Sequence, residues 1–212
     1  ANTHTQLLFF TTTGMVYKLK TWQLPVGGRT AKGKAVINIL PIPQGVSIAA
    51  IMPVDRPEED WGDLQIMLAT SQGTVRRNAL SDFTNVRSNG KIAMKLPDNV
   101  DLVNARICST DDDVMLVTDS GRAIRFRSSD VRVHVGRASM GVRGIKLREE
   151  NKVVSMSVIR HFNASAEERV AYLKMRRAVA GISDEIDNAE EDTVVDISLT
   201  QERYAQMSAA ED

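Results

Sequence analysis

Three stretches of this 212-residue chain begin in the same way, and this repetition limits the fold more than any other feature of the sequence. Each has an apolar segment, then Thr-x-x-Gly, then a second segment with basic residues: LLFFTTTGMVYKLK, QIMLATSQGTVRRN and DVMLVTDSGRAIRF. Such apolar segments are typical of strands, and glycine supplies the positive φ of a tight turn. The pattern therefore predicts three β-hairpins, with turn glycines at Gly14, Gly73 and Gly121.

The similarity continues after each hairpin. A second glycine opens a further strand-like segment, which reads GKAVINI, GKIAMKL and GVRGIKL in the three repeats, and another apolar run closes each unit. Each repeat thus supplies about four strands, and a four-stranded repeat of about 40–50 residues is typical of a propeller blade. We expect an all-β, propeller-like domain over residues 1–160, with three blades at about 5–55, 62–109 and 112–160.

The formal net charge of zero conceals an uneven distribution. Residues 165–212 contain 12 of the 27 acidic residues but only 5 of the 27 basic ones, so the rest of the chain is basic. The first 54 residues contain five lysines and arginines and no Asp or Glu. A basic body with an acidic C-terminal segment indicates a polyanionic partner for the body.

The best candidates for binding that partner lie in the loops around the second glycine of each repeat. Small residues let a backbone approach a phosphate chain, and Arg and Lys neutralise the phosphates. Because blades repeat around an axis, these loops are expected to recur along one rim that bent duplex DNA follows. No recognition helix is visible, so we expect backbone contact that weakens steeply with salt. The candidate DNA-binding residues are Arg29, Lys32, Lys34, Arg87, Lys91, Lys95, Arg137, Arg143 and Lys146.

Two other classes of function fit parts of the sequence. A protein-interaction propeller would use the basic rim to bind an acidic partner protein. A phosphate-transferring enzyme is suggested by Gly28, Gly33 and Lys34, which match most of a nucleotide-binding P-loop. However, Ala35 stands where the Mg²⁺-binding hydroxyl is required, and the following AVINIL predicts a strand instead of the helix whose N-terminus holds phosphate. We therefore predict no catalytic site and no cofactor for this chain. We also predict no metal site, because the three histidines, His4, His134 and His161, are scattered without ligand spacing and no Cys/His cluster exists.

Residues 161–212 are predicted to form a separate helical and acidic segment, either an insertion or a tail. Ser165 is expected to cap a helix in AEERVAYLKMRRAVAG, which Gly181 ends, and Thr200 to cap a short second helix in QERYAQMSAAED. The intervening SDEIDNAEEDTVVD is acidic and predicted to be flexible. This stretch either competes with DNA for the basic rim or serves as a spacer or a docking segment for another protein chain.

The single cysteine and the hydropathy pattern bear on location. Cys108 has no internal disulfide partner, and it lies in an apolar strand-like stretch that predicts a buried thiol. No run of about 18 apolar residues is present, so we expect no membrane span. The sequence therefore predicts a cytoplasmic location.

Several longer motifs occur in an order that resembles the C-terminal domains of bacterial DNA gyrase A subunits. The resemblance covers about residues 1–160 and rests on LLFFTTTGMVYKLKTWQLP, GRTAKGKAVINILP, ATSQGTV, GKIAMKL and GVRGIKL. It implies a β-pinwheel, a propeller-like disc whose blades exchange a strand, which bends DNA around a basic perimeter while the enzyme introduces negative supercoils. The implied partners are double-stranded DNA, the remainder of the gyrase A protein and the gyrase B protein. ATP and Mg²⁺ are implied only for the holoenzyme, and no catalytic tyrosine is expected here.

Two departures from the family pattern affect this interpretation. The family's Gln-Arg-Arg-Gly-Gly-Lys-Gly box has no match in the sequence. The family disc usually has six blades, whereas we expect about three, so a partial domain is predicted. Because the box distinguishes gyrase from the related topoisomerase IV, the resemblance leaves both open.

Overall fold

The computed structural model describes residues 1–136, 139–148, 150–180 and 199–209. The chain divides into two compact units, Ala1–Ile159 and Arg160–Asp212. The first unit is built of β-strands, and the described part of the second is helical. Within the described residues, no helix is long and apolar enough to cross a membrane.

Three hairpins form where the repeated motif predicts them. They are β1 (Gln6–Thr11) with β2 (Met15–Lys20), β4 (Gln65–Thr70) with β5 (Thr74–Ala79), and β8 (Asp113–Thr118) with β9 (Ala123–Arg127). The turn glycines have φ values of 77°, 76° and 74°, a region that glycine enters without steric cost.

The threonine of each motif closes its turn. In all three hairpins its hydroxyl accepts a hydrogen bond of 3.1 Å from the backbone N–H four residues later. Its carbonyl accepts from the turn glycine at 3.0 or 3.1 Å. The repeated Thr-x-x-Gly is thus a turn with its hydrogen bonds supplied locally.

Each hairpin is extended into a sheet by strands that follow it in the chain. Sheet A has the order β3-β1-β2-β6, with β3 at Ile48–Val54 and β6 at Lys91–Ile92. Sheet B has the order β10-β5-β4-β7, and β11 also pairs with β5; these strands are β7 (Leu102–Cys108), β10 (Val133–His134) and β11 (Val142–Arg143). Sheet C has the order β12-β8-β9, with β12 at Val153–Ile159.

Sheets A and B combine strands from two repeats. β6 belongs to the second repeat yet pairs with β2 of the first, and β10 and β11 of the third repeat pair with β5 of the second. This strand exchange is the pinwheel arrangement that the family resemblance implies. The third strand of a repeat pairs with the hairpin of the preceding repeat, so a repeat does not form a four-stranded sheet by itself. Sheet C has three strands among the described residues.

One predicted strand is absent. AVINIL contains a short 3₁₀ helix, Val36–Asn38, and pairs with no strand in the described parts of the chain. A strand without a neighbour leaves its backbone N–H and C=O groups without partners. The segment instead forms local hydrogen bonds, such as the one that Asn38 N donates to Ala35 O at 2.9 Å. The other 3₁₀ turns are Thr21–Gln23, Glu58–Asp63, Leu80–Phe83 and Ser128–Asp130.

Aliphatic side chains with a few aromatic rings fill the core between the sheets. The main cluster joins β1, β3, β4 and β7 around Leu8, Phe10 and Ile66, all 0% exposed, and a second cluster lies between sheets B and C around Met67 and Leu116. Cys108 is buried, as predicted from the sequence. The Ser128 hydroxyl donates a hydrogen bond to Cys108 Sγ at 3.4 Å, and burial raises the pKa of the thiol.

The second unit contains the two predicted helices, α1 (Ala166–Val179) and α2 (Gln201–Ala209). Ser165 caps α1 by accepting from Glu168 N at 3.0 Å, and Thr200 Oγ1 accepts from Arg203 N at 3.3 Å. Arg203 Nε also donates to Glu168 Oε1 at 2.9 Å, which lowers the pKa of that carboxyl and links the helices. The predicted stop at Gly181 and the whole of the acidic stretch SDEIDNAEEDTVVD lie outside the described residues.

Candidate nucleic-acid interface

The packing of the sheets determines where the cationic loops lie. β3 contacts β7, and β7 contacts β12, so the sheets meet through the edge strands at one end of each strand order. The exchanged strands lie at the opposite edges: β6 in sheet A, and β10 and β11 in sheet B. Lys91 and Arg143 therefore lie on the outer edges of sheets A and B, and Arg87, Lys95 and Lys146 flank these strands in the chain.

At the outer edge of sheet A, the second repeat contributes Arg87, Lys91 and Lys95. Arg87 and Lys95 are exposed, and Lys91, which lies on β6, donates from Nζ to the carbonyl of Asp82 at 3.0 Å. Gly90 has φ of 81°, and a Cβ there would lie 2.8 Å from the Tyr17 ring. Glycine at this position thus lets the loop close onto β2 while its cations remain outside.

At the outer edge of sheet B, buried side chains of β5 bind backbone carbonyls of the third repeat. Arg76 is 0% exposed; its Nη1 donates to the carbonyl of Ser139 at 2.5 Å and its Nη2 to that of Gly136. Asn78 Nδ2 donates to the same Gly136 carbonyl at 2.7 Å and to His134 O at 3.0 Å. These side chains therefore hold His134, Gly136 and Ser139 through their backbone carbonyls.

The exposed cations Arg143, on β11, and Lys146 follow Ser139 in the chain. The ninth predicted residue, Arg137, lies outside the described residues. Gly141 explains how the strand comes so close to β5: its φ is 88°, and a Cβ there would lie 2.4 Å from the carbonyl oxygen of Val75.

The first repeat behaves differently. Arg29, Lys32 and Lys34 are all exposed, and they lie in an irregular segment with a turn closed by Ala31 N to Gly28 O at 3.0 Å. This segment pairs with no strand in the described ranges, so these three cations are not carried on a sheet edge as the cations of the other repeats are.

Seven predicted cations are exposed and free of salt bridges within the described residues. Elsewhere in the first unit, Lys18 pairs with Glu58 at 2.6 Å and Arg125 with Asp113 at 3.5 Å. Exposed cations without carboxylate partners keep their charge available to a polyanion. The seven are Arg29, Lys32, Lys34, Arg87, Lys95, Arg143 and Lys146.

The arginines on the second strands of two hairpins, β9 and β5, were not identified in the sequence analysis, and some of them are exposed while others are buried. β9 exposes Arg122 beside its start, and Arg125 and Arg127 within it. GRAIRFR indicates two of them, because alternation along a strand sends Arg125 and Arg127 to one face. In β5, by contrast, the pair Arg76 and Arg77 is buried, which no feature of TVRRN indicates.

Comparison with known proteins places this arrangement in a family. The model of the family described as DNA gyrase C-terminal domain, beta-propeller, matches residues 5–55, 65–109 and 112–160. The chain belongs to this family. The whole chain is 44% identical to part of the DNA gyrase A protein of Granulibacter bethesdensis, and 76% of it is 42% identical to part of the DNA gyrase A protein of Escherichia coli.

Solved structures agree with this assignment. The C-terminal domain of DNA topoisomerase IV superposes with a TM-score of 0.67 at 26% identity, over 76% of this chain and 49% of that one. A DNA gyrase A C-terminal domain superposes with a TM-score of 0.59, also at 26% identity, over 75% of this chain and 49% of that one. This chain spans 24% of the Granulibacter protein and 18% of the Escherichia coli protein.

Proposed function

We propose that this chain is a DNA-binding part of a gyrase A protein, or of its topoisomerase IV counterpart, and that it bends duplex DNA along the outer edges of its sheets. The supporting observation is that equivalent outer edges of sheets A and B carry exposed cations without salt bridges among the described residues. Duplex DNA carries one phosphate charge per about 1.7 Å of axis, so several exposed cations neutralise neighbouring phosphates together.

The proposed role is binding and not catalysis. Glycines and exposed Arg and Lys side chains suit contact with the phosphate backbone, which carries no sequence information itself. DNA held along this edge would be presented to the rest of the gyrase A protein and to gyrase B, which would use ATP and Mg²⁺ to introduce negative supercoils. We place this activity in the bacterial cytoplasm.

The first test is a fluorescence-anisotropy titration of the chain with duplexes of unrelated sequence at about 50 and about 200 mM salt. We expect equal affinity for all sequences and a loss of about two or more decades at the higher salt if several phosphates are contacted. Replacing Arg87, Lys95, Arg143 and Lys146 by Ala is expected to lower affinity for every sequence and to reduce the salt slope by up to about 4.

A charge-matched variant serves as the control. Arg106 on β7 and Lys152 beside β12 are exposed, as are Arg169 and Lys174 on α1, and none of them belongs to the outer edges of sheets A and B. Their replacement by Ala is therefore expected to change affinity much less. Equal losses in the edge variant and the control, or binding that does not respond to salt, would contradict the proposed interface and favour an acidic protein partner.

A third variant addresses the first repeat, whose cations lie outside the sheet edges. Replacing Arg29, Lys32 and Lys34 by Ala is expected to weaken binding to all sequences equally, because contact with the phosphate backbone does not depend on the bases. The same titration with the same duplexes provides the measurement. A loss confined to one sequence would contradict backbone contact by this segment.

Bending is measured separately from binding. A duplex with a fluorophore at each end is expected to show increased energy transfer when the chain binds, because bending shortens the distance between its ends. Saturated binding with unchanged energy transfer would contradict the bending part of the proposal and leave the binding part intact.

A further inference from the structure

Apolar side chains are exposed among the cations at the outer edge of sheet B. Val135, which lies between β10 and β11, is fully exposed, and Met140 is 55% exposed. Val133 on β10 is 42% exposed. Residues 131–148, which include this edge, contain five lysines and arginines and no Asp or Glu. The surface is therefore both basic and apolar, and solvation of the cations does not account for its apolar part.

Sheet B has a neighbouring sheet on each side. Its strand β7 contacts β3 of sheet A and β12 of sheet C, and strands of the next repeat cover its hairpin. The corresponding segment of the second repeat, which lies at sheet A, is also exposed at Arg87, Ser88 and Asn89. The exposure of Val135 and Met140 thus follows from where this part of a repeat lies in the fold.

Hydrogen bonds from the interior hold the main chain on both sides of Val135. Asn78 on β5 is 0% exposed, and its Nδ2 donates to His134 O at 3.0 Å and to Gly136 O at 2.7 Å. Val135 lies between these two acceptors in the chain. The place of this valine at the surface is therefore determined by the buried side of sheet B.

The main chain beside Met140 is held in a similar way. The buried Arg76 donates from Nη1 to the carbonyl of Ser139, the residue before Met140, at 2.5 Å. Gly141, the residue after it, lies against β5, where a Cβ would be 2.4 Å from Val75 O. Because the backbone on both sides is already held, ordering Met140 against a partner costs little further conformational entropy.

Sheet A combines apolar and cationic side chains at its outer edge as well. Ile92 on β6 is 55% exposed, and it occupies the position that Arg143 has on β11, two residues after the positive-φ glycine of its repeat. The exposed Arg87 and Lys95 precede and follow it in the chain. Two equivalent outer edges thus expose apolar side chains between cations.

We propose that Ile92, Val135 and Met140 pack against deoxyribose rings of duplex DNA, a role that rests on the proposed function and adds a second kind of contact to it. Sugars and phosphates alternate along each DNA strand, so an apolar side chain between phosphate-binding cations meets a sugar. Burial of apolar surface on both sides stabilises the complex. Every nucleotide carries this sugar, so the contact leaves binding independent of base sequence.

Such a contact distinguishes DNA from RNA. The C2′ atom of deoxyribose carries only hydrogen, whereas that of ribose carries a hydroxyl group. A hydroxyl group packed against Val135 or Met140 loses hydrogen bonds to water, which costs free energy. We therefore expect the chain to bind a DNA duplex more tightly than an RNA–DNA hybrid of the same sequence.

The salt dependence of binding separates the apolar contact from the phosphate contacts. Cations that bind phosphates release counterions, so their contribution falls as salt rises, whereas apolar burial depends little on salt. The double variant Val135→Ser, Met140→Gln is expected to bind a DNA duplex about tenfold more weakly at every salt concentration, with an unchanged slope of log affinity against log salt. Adding Ile92→Ser is expected to weaken binding by about a further threefold. Fluorescence anisotropy between about 50 and about 200 mM salt measures both quantities.

Two matched variants serve as controls. Val135→Leu, Met140→Leu keeps apolar side chains at both positions and is expected to stay within about twofold of the affinity of the parent. Ile51→Gln, Val154→Ser removes two apolar side chains of similar exposure, 53% and 56%, from β3 and β12, which are not outer-edge strands of sheets A and B. This second control is expected to bind DNA as the parent does.

The same titrations with the RNA–DNA hybrid test the contact with the sugar. The Val135→Ser, Met140→Gln variant is expected to lose less affinity for the hybrid than for the DNA duplex. Losses of equal size for the two duplexes, or a loss that the Ile51→Gln, Val154→Ser control shares, would overturn the inference. Unchanged affinity for DNA with the ordinary salt slope would overturn it too, leave the proposed function intact and favour a protein partner for these side chains. If the parent binds no duplex in a salt-dependent manner, the proposed function fails and this inference fails with it.

Discussion

The second strands of the second and third hairpins are both rich in arginine, yet they use it in opposite ways. β5 contains Arg76 and Arg77, which are 0% and 6% exposed, while Arg125 of β9 is exposed. β5 is covered by β10 and β11 of the next repeat, whereas β9 pairs only with β8 in the described part of the chain. Whether such an arginine is buried or exposed thus depends on whether strands of the next repeat pair with the hairpin, and not on the hairpin's own sequence.

Arg76→Met is expected to have the largest effect on stability. Its guanidinium donates to the carbonyls of Gly136 and Ser139, and methionine fills a similar volume without donating to either. Leaving these partly buried carbonyls without their charged donor is expected to lower the free energy of unfolding by about 3 kcal/mol. Urea denaturation followed by circular dichroism measures this loss.

Arg122→Met is the matched control for the uncovered hairpin. Arg122 is exposed and its side chain forms no salt bridge among the described residues, so a change below about 0.5 kcal/mol is expected. Similar losses in the two variants would show that cover from the next repeat does not distinguish β5 from β9.

A pair of glycine substitutions tests the same comparison with a smaller effect. Gly141 and Gly121 both have positive φ, so Ala is strained at each by about 1 kcal/mol. At Gly141 the new Cβ would also lie 2.4 Å from Val75 O, whereas at Gly121 it would meet nothing within 4 Å. We expect a loss of about 2 kcal/mol for Gly141→Ala and about 1 kcal/mol for Gly121→Ala.

These losses are measured by urea denaturation of the two variants and the parent. The difference between the two variants reports the contact of the exchanged strand with β5, because the backbone strain is shared. If both substitutions cost the same, the close approach of Gly141 to β5 contributes little to stability.

The hairpins were predictable from the sequence because their determinants are local. Thr118 and Gly121 close a turn with their own backbone and hydroxyl groups, and the same spacing recurs in the other two hairpins. Ser165 and Thr200 likewise cap their helices from within the same segment. Periodicity and turn chemistry therefore suffice for these elements.

The sheet edges could not be derived from the residues alone, because pairing across repeats decides them. GKAVINI and GKIAMKL have the same apolar pattern, yet the second contributes β6 and the first contains a 3₁₀ turn. The family resemblance did imply strand exchange, but nothing in the sequence separates the buried Arg76 from the exposed Lys95. Of the nine proposed DNA-binding residues the structure describes eight, of which seven are exposed and Lys91 is partly buried; their contact with DNA stays a prediction.

The smallest expected effect is a pH dependence confined to the covered hairpin. His134 lies on β10, paired with Asn78 of β5, and it is 7% exposed. Burial lowers its pKa below the ordinary value, and the positive charges of Arg76 and Arg132 lower the pKa further. The folded chain therefore resists protonation of His134 more than the unfolded chain does, so stability is complete above the unfolded pKa and falls as the pH drops through it towards the lower folded value.

We expect the free energy of unfolding to decline by less than about 1 kcal/mol on this account below about pH 6.5. His134→Gln is expected to flatten that decline while leaving the stability at neutral pH close to that of the parent. Urea denaturation of both proteins across this pH range provides the measurement, with exchange of the β5 and β9 amides recorded in parallel. The extra opening on acidification is expected at β5, where the exchanged strand carries the histidine, and not at β9; an equal response of both strands would assign the pH dependence to groups other than His134.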